Sequence, residues 1–318
     1  MEVKTNFCYD GHDICLSGDI KKNLLTLDHV DYFAAPLSDL GNKGGHSFVF
    51  KLFEAQTYED DSDPVRVIKI DKFKKNYYGT IKGFPKKSRF QQEIEAMKIC
   101  QQAGKGNVMT LFCDGYLICK NNKGVDAYAF PFYVMEYAES DLKDYMSERR
   151  DNIDDAGKIE LCLNLAEGLN DLYSLGIYHR DIKPDNVFLV DGKWKIGDLG
   201  LIALRNKPTL DTEGEFVGPR GWISPEAMNK YLSEGVEGLD FDCAIDHQSD
   251  LFQLAKVFWF ILQGNAPIGG IESRDFKFHN DEMYSLLKHM LNHSKKRRPA
   301  TINDVILRLQ QIVKKYYM

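Results

Sequence analysis

The chain lacks a CxxC pair, a strong excess of either charge, an internal repeat, a low-complexity tract and any apolar run long enough to cross a bilayer. Each absence excludes something. Seven cysteines (Cys8, Cys15, Cys100, Cys113, Cys119, Cys162, Cys243) are scattered among apolar neighbours. Their odd number and spacing fit buried thiols in a reducing compartment better than disulfides or zinc. A net charge of −6 with acids and bases interspersed advertises neither a nucleic-acid nor a membrane surface. The start, "MEVKTNFCYDGHDIC", has no apolar signal region. The most apolar stretch, "LFQLAKVFWFILQG" (251–264), is too short for a bilayer, holds Lys256 and reads as a buried core helix. A soluble, cytoplasmic protein without membrane insertion or a nucleic-acid partner is expected; no pattern sets an oligomeric state.

What is present is a change of pattern along the chain. A length of 318 residues suggests one large domain or two lobes, since single cores seldom grow beyond roughly 250–300 residues. Residues 1–31 form a mixed polar leader to which no structure is assigned. The β-type runs "SFVFKLFEA" and "VRVIKI" then flank an acidic turn, "YEDDSDP". A helix follows at "SRFQQEIEAMKIC", where Phe90, Ile94, Met97 and Cys100 recur at helical spacing. More strand-like pieces surround "MTLFCDGYLICK" and "AFPFYVMEY". Beyond Asp141 the pattern is helical: Leu161, Leu165, Leu169 and Leu172 make one stripe, and "TINDVILRLQQIVKKYY" closes the chain. A small strand-rich lobe (about 32–136) therefore precedes a larger helical one (about 141–315), and a cleft at the boundary is the expected ligand site.

One loop carries chemistry: "YHRDIKPDNVFL", residues 178–189. A basic pair runs into a Pro-Asp turn and then into apolar residues, a loop entering a short strand. Asp181 can accept a proton and Lys183 can neutralise a transferring anion. Asn186, with another carboxylate, can hold a divalent cation. These are the parts needed for phosphoryl transfer. His-Arg-Asp alone is more often a charged surface turn, but the full string is specific. On it the chain resembles the eukaryotic-type protein kinases of the serine/threonine type, whose catalytic loop reads H-R-D-x-x-x-x-N. The resemblance implies an α+β, bilobal protein kinase fold over residues 32–315.

Other signatures follow in the family's order. "KIGDLG" (195–200) resembles D-F-G with Leu199 in place of Phe, which implies that Asp198 joins Asn186 in binding magnesium. "SPE" (224–226) resembles A-P-E, Arg298 its arginine partner, and Asp250 the aspartate that opens the family's buried central helix. Lys69 of "VRVIKI" falls at the V-A-I-K lysine, with Glu93 as its ion-pair partner. Physics asks for the same pairing, because burying a lysine alone is costly. "LGNKGGHSFVFK" resembles the phosphate loop: Gly41, Gly44 and Gly45 are present, Ser47 takes the place of the third glycine, Val49 follows, and there is one extra residue. "VMEYAESDL" resembles the hinge, with Met135 as gatekeeper and Glu136 and Ala138 offering backbone groups to adenine. Val67 and Phe188 are implied on either side of the purine.

The implied activity is ATP- and Mg2+-dependent transfer of the γ-phosphate to a serine or threonine hydroxyl of a protein substrate. Asp181 orients and deprotonates the hydroxyl, Lys183 stabilises the phosphoryl group, and Lys69 grips the α/β-phosphates. Lys183 fits the serine/threonine pattern, whereas Pro219 stands where such kinases usually carry a threonine. Two other classes use related parts. A pseudokinase scaffold would lack one of Lys69, Asp181, Asn186 or Asp198; a small-molecule kinase would show H-G-D and lack the S-P-E motif with Arg298. Arg180 is expected to meet an anion, and autophosphorylation at Thr209 or Thr212 is expected to supply it, so that removing both hydroxyls slows transfer. The alternative is that Asp211, Glu213 or Glu215 already supplies the counter-charge and the enzyme is constitutively active. Two inserts, "DKFKKNYYGTIKGFPKKSR" and "NKYLSEGVEGLDFDCAI", are left outside the catalytic argument.

Overall fold

A computed structural model of the chain describes residues 1–37, 47–81 and 88–316. They divide into two compact units: Met1–Ile94 with Thr110–Tyr137, and Glu95–Met109 with Ala138–Met318.

The first unit is built on strands β1 (Glu2–Tyr9), β2 (Ile14–Cys15), β3 (Leu24–Leu27), β4 (Val30–Pro36), β5 (Ser47–Glu54), β6 (Arg66–Asp71) and β7 (Lys75–Asn76). Helix α1 (Arg89–Gln102) follows, then β8 (Leu111–Lys120) and β9 (Asp126–Glu136). The sheet order is β2-β1-β8-β9-β6-β5-β4-β3, with β7 added to β9. All pairings are antiparallel except β1 with β8.

Side chains alternate across this sheet, so its two faces have different work. Phe48, Phe50, Leu52, Ile68, Ile70, Phe132 and Val134 point into one core, which Val3, Phe7, Tyr9, Leu25 and Leu27 complete. The residues between them occupy the other face. Val49 lies opposite Lys69, Lys69 opposite Tyr133, and Val67 opposite Met135. A shift of one residue in any of these strands would exchange core for site.

The stretch expected to be a leader without assigned structure is part of the sheet, and a boundary at residue 31 falls inside β4. Its alternation explains this, because β1 buries Val3, Thr5, Phe7 and Tyr9, exposes Lys4 and Asn6 and leaves Cys8 half-buried. The chain at Met1 passes so close to Gly115 that a Cβ there would lie 2.2 Å from the Met1 carbonyl oxygen, so only glycine admits it.

The second unit contains β10 (Ser140–Asp141), α2 (Leu142–Arg149), α3 (Asp155–Ser174), β11 (Ile177–Tyr178), β12 (Val187–Val190), β13 (Lys193–Ile196), β14 (Ala203–Leu204), α4 (Pro225–Ser233), α5 (His247–Gln263), α6 (Asp281–Met290) and α7 (Ile302–Tyr316). Carboxylates start three of the helices by taking orphan N–H groups: Asp141 for α2, Asp154 for α3, and Asp246 in a capping box with Ser249 for α5. Helix α5 ends at Gly264, whose φ of 81° suits glycine. The expected stripe of α3 is buried, and α5 is buried nearly all round.

Residues 95–109, expected in the small lobe, belong to the larger unit. The Asn107 carbonyl accepts the Ile196 N–H at 2.9 Å, and Met109 donates to the Ile196 carbonyl at 3.0 Å. Asn107 and Lys105 also reach Asp171 on α3, at 2.9 and 3.1 Å. The cysteines also differ in part from expectation. Cys100, Cys119 and Cys162 are buried and all seven are free thiols, but Cys15 is exposed and faces Cys8 across β1 and β2.

Candidate active site

In the larger unit the loop after β11 is fixed from the α5 side. Asp250 accepts the backbone N–H groups of His179 and Arg180 at 2.8 and 2.7 Å. Gln253 accepts the Ile182 N–H at 2.9 Å and donates to the Arg180 carbonyl at 3.1 Å. Burial pushes the Asp250 carboxyl up to about 7, against the pull of its two backbone donors. His179 is buried, and burial lowers its pKa, against the pull of Asp181. Its Nδ1 accepts the Asp181 N–H at 3.2 Å, while Nε2 lies 3.0 Å from the Gly197 carbonyl. That geometry assigns the ring proton to Nε2.

Asp181 is therefore held by its own backbone, and its carboxylate has two neighbours. The Lys183 ammonium lies 3.4 Å away, and the Asn186 amide donates to Oδ2 at 2.7 Å and to the Asp181 carbonyl at 2.8 Å. Burial raises the Asp181 pKa; Lys183 and His179 oppose the rise, and Asp198 adds to it. A buried carboxylate of raised basicity beside a cation can accept a proton while charge develops nearby.

The Asn186 and Asp198 loops are joined by the backbone, since Gly197 donates to the Asn186 carbonyl at 3.0 Å. Gly197 also carries a steric demand, because a Cβ would lie 2.7 Å from Met109 and 2.8 Å from the Phe188 ring. Asp198 is exposed, while Leu199 beside it is buried. Arg180 and Asp198 both sit in the left-handed region, at φ 67° and 54°, a strained conformation that collects at functional sites. Among the described residues no three His, Cys, Asp or Glu side chains form a metal cage. One carboxylate and one amide oxygen fit a magnesium ion whose remaining ligands are phosphates and water.

In the first unit the expected ion pair is present. Lys69 Nζ lies 2.9 Å from Glu93 Oε1 and 3.2 Å from Oε2. Tyr133 donates to the same Oε1 at 2.9 Å, and Phe90 packs on the Tyr133 ring at 5.3 Å. Ser47, Val49, Val67, Lys69 and Met135 share one face of the sheet by strand register. Glu136 spends its N–H on the Thr110 carbonyl and accepts the Thr110 N–H at 2.7 Å through its side chain. Gly41, Gly44 and Gly45 lie outside the described residues.

A model of the protein kinase domain matches residues 43–318. The chain belongs to the protein kinase domain family. Among curated relatives, a probable serine/threonine-protein kinase of Clostridium acetobutylicum is 26% identical over 185 residues, 56% of this chain and 25% of that protein. The interferon-induced, double-stranded RNA-activated protein kinase of Rattus norvegicus is 34% identical over 179 residues, 54% of this chain and 33% of its own length. A Raf homolog serine/threonine-protein kinase of Caenorhabditis elegans is 26% identical over 192 residues, 53% of this chain and 22% of its own. The matches thus span a third or less of these relatives.

This kinase domain also shows its structural anchors. Arg298 places both terminal nitrogens on Glu226, at 2.7 and 3.0 Å, and gives its other donors to the carbonyls of Gln248, Asn292 and His293. Ser249 adds a bond to Glu226 at 2.7 Å. Burial would raise the Glu226 pKa, but Arg298 outweighs it and the net shift is down. Two supports were not singled out from sequence: Tyr133, which steadies Glu93, and Gln253, which holds the loop backbone. The register opposite Lys69 could have pointed to Tyr133; nothing local marks Gln253.

Proposed function

We propose that this kinase domain, taken as residues 32–315 with β1–β3 as added cover, transfers the γ-phosphate of ATP to serine or threonine hydroxyls of a protein. The observation that carries the reading is the buried Asp181 carboxylate, flanked by Lys183 and Asn186. Asp181 takes the proton of the acceptor hydroxyl, and Lys183 balances charge on the transferring group. Asn186 and Asp198 would hold magnesium, which when bound neutralises phosphate charge. In the first unit, Lys69 holds the α/β-phosphates and Glu93 orients it. Met135, Glu136, Ala138, Val67 and Phe188 are assigned to adenine, and Gly41, Gly44, Gly45, Ser47 and Val49 to the phosphate loop.

Serine or threonine is preferred to tyrosine as acceptor because of Lys183 and because the curated relatives bear serine/threonine-kinase names. A cytoplasmic location is proposed from the odd number and scattered spacing of the seven cysteines; among the described residues no helix is long and apolar enough to cross a membrane. The deciding experiment incubates the purified chain with ATP labelled in the γ-phosphate, magnesium and an unstructured acceptor protein, then maps phosphosites by mass spectrometry. Label on serine and threonine is expected. No transfer from the wild type, or label confined to tyrosine, would refute the assignment.

A further inference from the structure

Arg180 adjoins Asp181, and its guanidinium is among the most completely buried large groups in the chain. A charge so placed must be met by an opposite charge and by hydrogen bonds. Both are there. Nε donates to the Leu201 carbonyl at 2.6 Å, and the two terminal nitrogens grip Asp211 at 2.6 and 2.9 Å in a fork-to-fork pair. The Asp211 side chain is itself buried.

The segment bearing Asp211 is seated at further points. Gly214 donates to Glu234 at 2.9 Å, and Phe216 meets Tyr231 of α4 edge to face at 5.3 Å. The Glu213 carboxyl lies over Gly235, where a Cβ would collide with it. The hydroxyls of the segment are placed differently. Thr209 is exposed, and Thr212 gives its N–H and hydroxyl to Glu215, at 2.9 and 3.4 Å. A phosphate on Thr212 would face that carboxylate, and to reach Arg180 it would have to displace Asp211.

We propose that Asp211 is a positioning residue for the transfer reaction: its carboxylate fixes Arg180, and through it Asp181, so that the segment is in working order without phosphorylation. The strained φ of Arg180 makes the argument specific. Asp250 holds that residue by its backbone and Asp211 by its side chain. Loosening the side-chain end lets the backbone relax toward an ordinary conformation, which moves the next residue, Asp181.

The proposal rests on the catalytic reading above, and its test separates the two. The whole chain is treated with phosphatase, shown by intact mass to carry no phosphate, and assayed for kcat and for KM of ATP. Dephosphorylated wild type and the T209A/T212A variant should keep kcat within about twofold. D211N should lose roughly tenfold or more in kcat, as small misplacements of a catalytic group do, with KM for ATP within a few-fold. D211E should restore part of the loss. Hydrogen exchange over residues 207–217 should quicken in D211N. Loss of transfer on dephosphorylation overturns the proposal, as does D211N with wild-type kcat. If D211N does not fold, the dephosphorylated wild type decides alone. A chain that transfers no phosphate in any form refutes the catalytic reading, and exchange in D211N still decides whether Asp211 holds the segment.

Discussion

Two buried ion pairs, one in each unit, are made from similar parts and differ in what they leave over. In the larger unit Arg298 has no exposed side-chain surface and divides its donors among Glu226 and three carbonyls. In the first unit the Lys69 side chain stays 15% exposed, although its partner Glu93 is as buried as Glu226. Guanidinium geometry suits the closed role, since five fixed donors can all be consumed by the chain. An ammonium on a flexible stem suits the open one, because it can keep its carboxylate and still meet a phosphate. A pair that only holds the fold closes on itself; on the reading proposed above, the Lys69 pair serves a ligand, and its ammonium keeps some surface exposed.

The comparison fails first if the closed pair is dispensable. E226A or R298A should cost about 3–5 kcal/mol, because each leaves a buried charge alone, and urea unfolding measures this. The pair also has a pH signature. Glu226 is shifted below its ordinary 4.5, so its contribution is present above that value and is lost as pH falls through the lowered pKa. The catalytic centre supplies the next effect. D181N should reduce kcat by roughly 10²–10⁴ while nucleotide affinity, followed by calorimetry, changes by only a few-fold. Joint loss of both would mean that Asp181 has been given the wrong role.

The open pair should respond in the opposite sense to the closed one. K69M should weaken ATP binding more than it lowers the unfolding free energy, and the reverse order would make Lys69 a strut. A gentler change sharpens the point: Y133F removes one hydrogen bond to Glu93 and should cost about 1 kcal/mol, read as a modest rise in KM for ATP. The smallest effect is on pH. As the proposed base Asp181 has to be ionised; burial raises its pKa, and Lys183 pulls it down. K183M should therefore move the acid limb of the kcat profile to higher pH, in addition to any loss at the plateau. A limb that stays in place would separate Lys183 electrostatically from Asp181.

Much of this was readable from residue order alone. The loop from His179 to Asn186 is contiguous, so its chemistry could be seen without a fold, and the strand register around Lys69 follows from alternation. The partner of Arg298 was named through a motif. What could not be read depended on distant contacts. The polar alternates of β1 masked a strand whose partner is β8. The contacts of Asn107 and Lys105 with α3 and Ile196 drew residues 95–109 out of the lobe where sequence order put them. Asp211 was one of several acids in its segment, and only the fold selects it for Arg180.

The parallel pairing of β1 with β8 has a consequence for biosynthesis. The Thr5 hydroxyl donates to the Ile118 carbonyl, 113 residues further along the chain. At roughly 5–20 residues per second, the early strand waits on the order of ten seconds for its partner to be made. Throughout that interval the edge of β1 that pairs with β8 is open to other chains, although Leu25, Leu27 and Phe50, which share a core with Phe7, are made earlier. Glu2, Lys4 and Asn6, which alternate with the buried residues of β1, face water in the finished protein. Polar and charged residues alternating along an apolar strand are the pattern that keeps an unpaired edge from joining other chains, so the same alternation that seats β1 in the sheet also suits its wait.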